Sequence, residues 1–279
     1  MLLSERCIPQ SDAVNQLRER DEYKKNIHDI SDLAGYLGTN ENGQTFGTLV
    51  GDKGVGTFGG SQDHTAILCG KSNHLCLFGY CPVQFKDAIA VPEGFTFAIG
   101  SSGVVAEKTG EAMQKYNRAS KLGSTVLELW RSATGRDDAT LNAAIHSSPE
   151  AVEHMRDMLR QSKHDTFNAA DLLQRFEHFH VENNDIIPKA VAALKAGDVH
   201  AFAQQADRSQ HATEHQLRSQ VEQTVYLAKS ARELDAQGAS AFGAGFGGAV
   251  WALVRKDNAD AFIAEWRKRY EQRYPVEAK

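Results

Sequence analysis

The 279-residue sequence predicts an α+β fold, because strand-like and helical patterns occupy different parts of the chain. Short apolar runs broken by proline and glycine come first, and such runs are typical of strands and turns. Helical periodicity dominates from Thr109 onward, and one further apolar strand is predicted towards the C-terminal end. The predicted strands are residues 74–80, 83–91, 95–99 and 249–254.

The first predicted element is a helix over residues 12–37. Apolar residues recur there at a mixed spacing of three and four, with charged residues between them. Gly38 is expected to end this helix. Residues 51–60 then carry five glycines, which predicts a loop with unusual backbone angles or a close contact with a ligand. A short helix over residues 61–69 is expected to open directly out of this loop.

The C-terminal part of the chain is predicted to be mostly helical. Pro188 is expected to kink or split the helix that contains it, because proline lacks the N–H that a helix interior uses. The predicted helices are residues 109–133, 147–162, 166–195, 198–215, 218–236 and 257–272.

Composition and charge exclude several classes of protein. Apolar residues make up 41% and charged residues 24% of the chain, which is typical of a globular protein. The net charge is −5, so the basic excess of a duplex-coating protein is missing and we expect no nucleic-acid partner. Residues 236–254 carry no charge, but their five glycines favour a buried strand and loop over a membrane span.

The cysteines indicate neither a disulfide scaffold nor a metal site. Cys7, Cys69, Cys76 and Cys81 are too few to staple a chain of this length. They form no Cys-x-x-Cys pair, so we predict free thiols in a reducing compartment and no resident metal. The N-terminus shows no basic stretch followed by an apolar run, so we expect no signal peptide and a cytoplasmic protein.

A glycine-rich motif lies at residues 243–248, Gly-Ala-Gly-Phe-Gly-Gly. It matches the Gly-x-Gly-x-x-Gly pattern of dinucleotide-binding folds, but a helix is predicted before it and a strand after it, the reverse of that unit. A loop that approaches phosphate and a plain turn both remain open. Gly70-Lys71-Ser72 resembles the end of a Walker A loop, but Thr65 stands where that motif needs glycine.

His211-Ala-Thr-Glu214-His215 places two histidines one helical turn apart with a carboxylate between them. This arrangement holds zinc in some peptidases. A solvated helix face is the simpler explanation in a chain with eleven histidines. We keep a zinc peptidase as an alternative function.

The segment Gly59-Gly60-Ser61-Gln62-Asp63-His64 combines a glycine-rich loop, a helix start and a carboxylate. Asp63 could simply cap the helix. Helix N-termini and glycine loops also collect phosphates, and phosphoryl transfer to a hydroxyl needs a carboxylate that orients or accepts its proton. Together with the second glycine loop, this pattern indicates a phosphoryl-transfer site.

Three stretches resemble the GHMP kinases, and within them the galactokinase-like sugar kinases. Residues 59–64 resemble the family's Gly-x-Met-Asp-Gln segment, with Ser-Gln-Asp-His in place of Met-Asp-Gln. Tyr116-Asn117-Arg118 resembles its Glu-Tyr-Asn-x-Arg stretch. Residues 243–254 resemble its third motif, Thr-Gly-x-Gly-Phe-Gly-Gly followed by an apolar strand. The resemblance covers roughly residues 26–272.

The resemblance implies a role for each matched residue, with ATP and Mg²⁺ as cofactors and a small-molecule sugar as the partner. Asp63 would orient or deprotonate the acceptor hydroxyl, and Gly60 and Tyr116 would contact the sugar. The glycines of the third motif would pack against the phosphate region of the nucleotide: Gly243, Gly245, Gly247 and Gly248.

The resemblance also implies two domains. Residues 1–93 would be a remnant of the N-terminal kinase domain. Residues 94–279 would be a helix-rich C-terminal domain with a small antiparallel sheet that includes 95–99 and 249–254. This is the GHMP-kinase-like form of the α+β fold, with an incomplete N-terminal domain.

Two family motifs have no counterpart before Asp63: a Gly-Glu-His-x-Asp sugar-binding segment and a Gly/Ser-rich loop that wraps the ATP phosphates. We therefore expect a truncated chain or the product of a split gene, with little or no kinase activity of its own. A sugar-binding or regulatory relative without turnover is the alternative function. The sequence identifies neither the sugar nor the oligomeric state.

Overall fold

The computed structural model describes residues 18–106, 112–243 and 245–278. The chain divides into two compact units, Met1–Val91 and Pro92–Lys279, and each unit is described here by itself. Cys7 and the first residues of the helices predicted at 12–37 and 109–133 lie outside the described residues.

The first unit consists of helices α1 to α3 and an antiparallel hairpin of strands β1 and β2. The hairpin pairs His74 with Ala90 at one end and Gly79 with Gln84 at the other. Both strands and the short helix that follows the glycine-rich loop lie where the sequence predicts them. The elements are α1 (Asp21–Asn26), α2 (Ile30–Asn42), α3 (Gln62–Cys69), β1 (His74–Gly79) and β2 (Gln84–Ala90).

The prediction of one helix ending at Gly38 is wrong. The chain breaks after Asn26 and restarts at Asp29, whose side chain accepts hydrogen bonds from the N–H groups of Ser31 and Asp32 and so caps α2. Gly38 lies inside α2, where an added Cβ would stand 2.8 Å from the Cα of Ser61. Glycine is used there for close packing against the start of α3, and the helix ends instead at Gly43.

The second unit contains a three-stranded antiparallel sheet in the order β3-β5-β4. Its strands are β3 (Phe95–Ser101), β4 (Gly238–Ala241) and β5 (Ala249–Arg255). The predicted strands 95–99 and 249–254 are confirmed, and Phe95 pairs with Arg255. Strand β4 was not predicted, so a strand and not a helix leads directly into the glycine loop. The loop therefore joins two antiparallel strands, which is not the dinucleotide-binding arrangement.

Helices make up the rest of the second unit. A π-helical turn at Glu182–Ile186 precedes Pro188 and interrupts the α-helix where a kink or split is predicted, while the backbone stays helical on both sides. A second π-helical turn, Thr213–Leu217, follows the next helix. The helices are α4 (Ala112–Thr134), α5 (Leu141–Ile145), α6 (Ala151–Gln161), α7 (Ala169–Val181), α8 (Ile187–Lys195), α9 (Val199–Ala212), α10 (Glu222–Glu233) and α11 (Ala259–Arg273).

Two hydrophobic cores hold the second unit together. One packs α10 and α11 on the sheet, and there the buried indole N–H of Trp266 donates to the carbonyl of Leu227 and to Ser230 Oγ, both at 3.1 Å. The other packs α4 to α7 around fully buried side chains such as Met155 and Phe176. Burial of a side chain of this size contributes about 1.5–3 kcal/mol, so both cores fix the segments that carry the candidate site.

The prediction of an α+β fold is confirmed, with helices and small antiparallel sheets in both units. Within the described part of the chain, no helix is both long and apolar enough to span a bilayer.

Candidate functional site

Asp63 is the second residue of α3 and is exposed at the end of the glycine-rich loop. The residue in the N-cap position is Ser61, whose side chain makes no capping hydrogen bond. The alternative explanation of Asp63 as the helix cap is therefore wrong. A negative charge in the first turn is still favoured by the helix dipole, and the exposed carboxylate can be reached by a ligand.

Gly60 lies beneath the side chain of Tyr80. An added Cβ at Gly60 would stand 2.0 Å from Tyr80 Oη, so the glycine is required by close packing within the protein. The neighbouring Gly59 carbonyl accepts a hydrogen bond of 2.8 Å from Asn42 Nδ2. These contacts tie the end of the loop to helix α2 and to strand β1, and they fix the backbone that leads into Asp63.

A half-buried hydrogen-bonded pair, His64 and Glu41, stands beside Asp63. His64 Nε2 lies 3.1 Å from Glu41 Oε2, and Glu41 comes from the last turn of α2. The main chain of Glu41 also accepts a hydrogen bond from the N–H of Val55. The end of α2 therefore supports both the loop and the first turn of α3.

The glycine loop between β4 and β5 has an unusual backbone. Its described residues, Gly243 and residues 245–248, all have positive φ angles, including Phe246 at 62°. An added Cβ would stand 2.2 Å from the carbonyl of Ser219 at Gly245 and 2.5 Å from that of Val104 at Gly247. Both positions therefore exclude any side chain.

Hydrogen bonds fix this loop on both sides. The N–H of Phe246 donates to the carbonyl of Ser219, and the N–H of Gly248 donates to that of Val104 over 2.9 Å. The carbonyl of Gly248 in turn accepts from the N–H of Ser102 over 2.8 Å. Two of the loop's amides are thus already used within the protein.

Tyr116 lies in the first turns of α4 and reaches the same loop. Its hydroxyl donates to the carbonyl of Gly245 over 2.9 Å. Its ring meets the edge of Phe246, with 5.0 Å between the ring centroids. The structure therefore brings Tyr116 together with the glycine loop, whereas Asp63 and Gly60 belong to the other unit.

The His211–His215 segment is a solvated helix face, since both histidines are exposed. The imidazole rings of these residues lie side by side, 4.3 Å between centroids, but Glu214 accepts a hydrogen bond from Gln210. Gln210 Oε1 accepts from Ser240 Oγ and from the N–H of Ala241, which links α9 to β4. In the described ranges, no group of three or more His, Cys, Asp or Glu side chains could hold a metal ion.

Several residues of the site escaped the sequence analysis. The carbonyls of Ser219 and Val104 support the glycine loop, and Phe246 carries its strained backbone and packs on Tyr116. A main-chain carbonyl leaves no sequence signal, because every residue has one. Phe246 lies inside the third motif, but the resemblance predicts roles only for the glycines around it.

Two comparisons with known proteins relate to this geometry. Residues 190–272 match the family model described as GHMP kinases C terminal. The chain also superposes on the crystal structure of Lactococcus lactis galactokinase complexed with galactose, with a TM-score of 0.70 and 22% sequence identity. The match covers 92% of this chain and 59% of the galactokinase chain, so this chain spans less than two thirds of that protein's length.

The resemblance to the GHMP kinases predicted from sequence is confirmed by these matches. The family model covers the end of the helical region and the whole of the glycine loop. The structural match extends the shared fold to nearly the whole chain, across both units.

Proposed function

We propose that the chain carries the sugar-binding and phosphate-proximal residues of a sugar kinase, which transfers a phosphoryl group from ATP to a sugar hydroxyl. The observation that carries this proposal is the hydrogen bond between Tyr116 and Gly245. It joins two segments, 129 residues apart, that each resemble a GHMP kinase motif. The fold shared with galactokinase, crystallised with galactose, makes galactose the first sugar to test.

In this proposal, residues 1–93 belong to the N-terminal kinase domain and residues 94–279 to the C-terminal domain. Asp63 orients the acceptor hydroxyl and accepts its proton. Gly60 fixes the backbone of the loop that leads into Asp63. Tyr116 contacts the sugar. Enzymes of this chemistry act mainly by positioning and by neutralising charge, which suits a carboxylate on a helix fixed by the Glu41–His64 pair.

ATP supplies the phosphoryl group when bound, and Mg²⁺ neutralises its charge. Because the amides of Phe246 and Gly248 already donate to protein carbonyls, we assign the phosphate contact to the other glycine amides of the loop, those of Gly243, Gly245 and Gly247. The described residues offer no cluster of metal ligands. Mg²⁺ would then be held chiefly through the phosphates, as this ion commonly is.

The test measures galactose binding by titration calorimetry and galactose phosphorylation on the same purified chain. We expect saturable binding that Asp63→Asn weakens about tenfold or more, because a hydrogen bond to a charged group contributes about 1.5–3 kcal/mol. Asp260→Asn is the matched control, since Asp260 is also an exposed second residue of a helix. Equal loss in both variants, or no sugar binding at all, contradicts the proposal.

The second candidate is a sugar-binding relative without turnover. Two amides of the glycine loop, those of Phe246 and Gly248, already donate to protein carbonyls, which leaves fewer donors for a nucleotide phosphate and favours it. The effect of Mg²⁺-ATP on galactose affinity separates the two functions. A kinase site binds galactose with a different affinity when nucleotide is present, whereas a site for sugar alone does not respond to nucleotide.

A further inference from the structure

An open cleft of about 350 Å³ lies beside the glycine loop. Helix α4, helix α7 and the segment 216–221 form its walls. Phe246 closes one side, while Tyr116 does not line it. The proposed function uses none of the other side chains in this cleft.

The cleft is strongly basic. Among the residues that the structure describes, four cationic side chains line it, against one carboxylate, that of Asp171. That carboxylate lies 2.6 Å from Arg118 and 4.0 Å from Arg218, so one negative charge is shared between two guanidinium groups. The four cations are Lys115, Arg118, Arg175 and Arg218.

Arg175 is the most informative of these cations. Among the residues that the structure describes, no carboxylate stands within ion-pair distance of it. Its hydrogen-bond partners in the described part of the chain are the carbonyl of Ala119 at 3.3 Å and the Nδ1 atom of His178 at 3.5 Å. Desolvation lowers the pKa of Arg175. A desolvated charge without a counter-ion is costly, and an anion in the cleft would relieve that cost.

The remaining lining adds an apolar wall and one unsatisfied polar atom. Ala119, Leu122, Leu217 and Val221 line the cleft beside Phe246. Gln216 lines it as well, and its Oε1 atom is buried with no hydrogen-bond partner among the described residues.

We propose that this cleft binds a small organic phosphate monoester, with its phosphate between the arginines and its apolar part against Phe246. Guanidinium groups bind phosphate with two parallel hydrogen bonds, and a phosphate monoester carries about −1.5 to −2 charges at pH 7, which the excess of cations can neutralise. The ligand would touch Phe246 and so couple to the glycine loop.

The test is titration calorimetry of the full chain with phenyl phosphate, inorganic phosphate and benzoate. We expect phenyl phosphate to bind most tightly, because it alone offers both a dianion and an apolar ring. Arg175→Gln should weaken it about tenfold or more, the loss typical for a hydrogen bond to a charged group. Lys115→Gln and Arg218→Asn change exposed residues and should weaken phenyl phosphate binding by a smaller factor. These two variants test the proposal if Arg175→Gln fails to fold.

Arg267→Gln is the control, since Arg267 is an exposed arginine outside the cleft. No saturable binding of phenyl phosphate, tighter binding of benzoate, or equal affinity in Arg175→Gln and Arg267→Gln would overturn the proposal. Galactose binding in Lys115→Gln should be unchanged. Phenyl phosphate binding therefore tests this cleft, and galactose binding tests the proposed sugar site separately.

Discussion

The hydroxyl of Tyr116 donates a hydrogen bond to the main-chain carbonyl of Gly245, with 2.9 Å between the two oxygens. The tyrosine ring also meets Phe246, the next residue of the same loop. Helix α4 therefore holds the glycine loop from one side, while Val104 and Ser219 hold it from the other. The position of the loop depends on the tyrosine as well as on its own glycines.

Tyr116→Phe removes this hydrogen bond and leaves the ring in place. We expect the free energy of unfolding to fall by about 0.5–1.5 kcal/mol, the usual contribution of one hydrogen bond. Hydrogen exchange at the amides of residues 245–248 should become faster. Tyr226→Phe is the matched control, because its hydroxyl is 3.5 Å from the carbonyl of Arg269. A larger loss of stability in the control would contradict the prediction.

Gly245→Ala and Gly248→Ala separate backbone strain from steric exclusion. The two glycines have nearly equal φ angles, 84° and 83°, so alanine at either position costs about 1–2 kcal/mol of strain. Among the described residues, the new methyl group meets the carbonyl oxygen of Ser219 at position 245 and no atom at position 248. We expect Gly245→Ala to cost about 1–3 kcal/mol more, measured by urea denaturation. Equal losses would show that the loop can move away.

Gly38→Ala tests the packing beneath the start of α3. Alanine is usually better than glycine in a helix by about 1 kcal/mol, and Gly123→Ala, inside α4 with only ordinary contacts around it, should gain stability. Gly38→Ala should lose it, because its methyl group would meet the backbone of Ser61. The midpoint of thermal unfolding checks both variants. A stabilising Gly38→Ala would mean that α3, and Asp63 with it, shifts freely.

The sequence predicts correctly those strands that have an uninterrupted run of apolar residues. Residues 249–254 form an uninterrupted apolar run, which is typical of a buried central strand, and β5 is central in its sheet. Strand β4 consists of Gly-Ala-Ser-Ala, whose small residues have low strand propensity. Its strand conformation comes from pairing with β5 and from packing on α9 and α10, neither of which is visible locally.

The candidate site also contains features that the local sequence predicts and features that depend on distant contacts. The resemblance to a kinase family placed Tyr116 and Gly245 in one group, but nothing local links residues so far apart. Gly38 was misassigned because a glycine that ends a helix and a glycine that admits a neighbouring backbone look identical in sequence. The support given by Ser219 and Val104 comes from main-chain carbonyls, which no side-chain pattern reveals.

His178 should make the stability of the second unit depend on pH. Burial, together with the nearby charge of Arg175, lowers the pKa of His178 from 6.5 to about 4. The unfolded chain therefore binds a proton at a higher pH than the folded chain. Folding is unaffected by this group above pH 6.5, and stability falls as the pH drops from 6.5 towards 4. The full effect is about 3 kcal/mol, from 1.36 kcal/mol per pH unit.

Urea denaturation of the intact chain at pH 7.0, 6.0, 5.0 and 4.5 measures this effect by comparison with His178→Gln. The variant lacks the titrating group, so its stability should fall less steeply between pH 6.5 and 4.5 than that of the unmodified chain. His74→Gln, at an exposed position, controls for loss of a histidine and should retain the steep fall. Parallel curves for all three proteins would mean that His178 is protonated in the folded state, and that the seam between α4 and α7 is open to water.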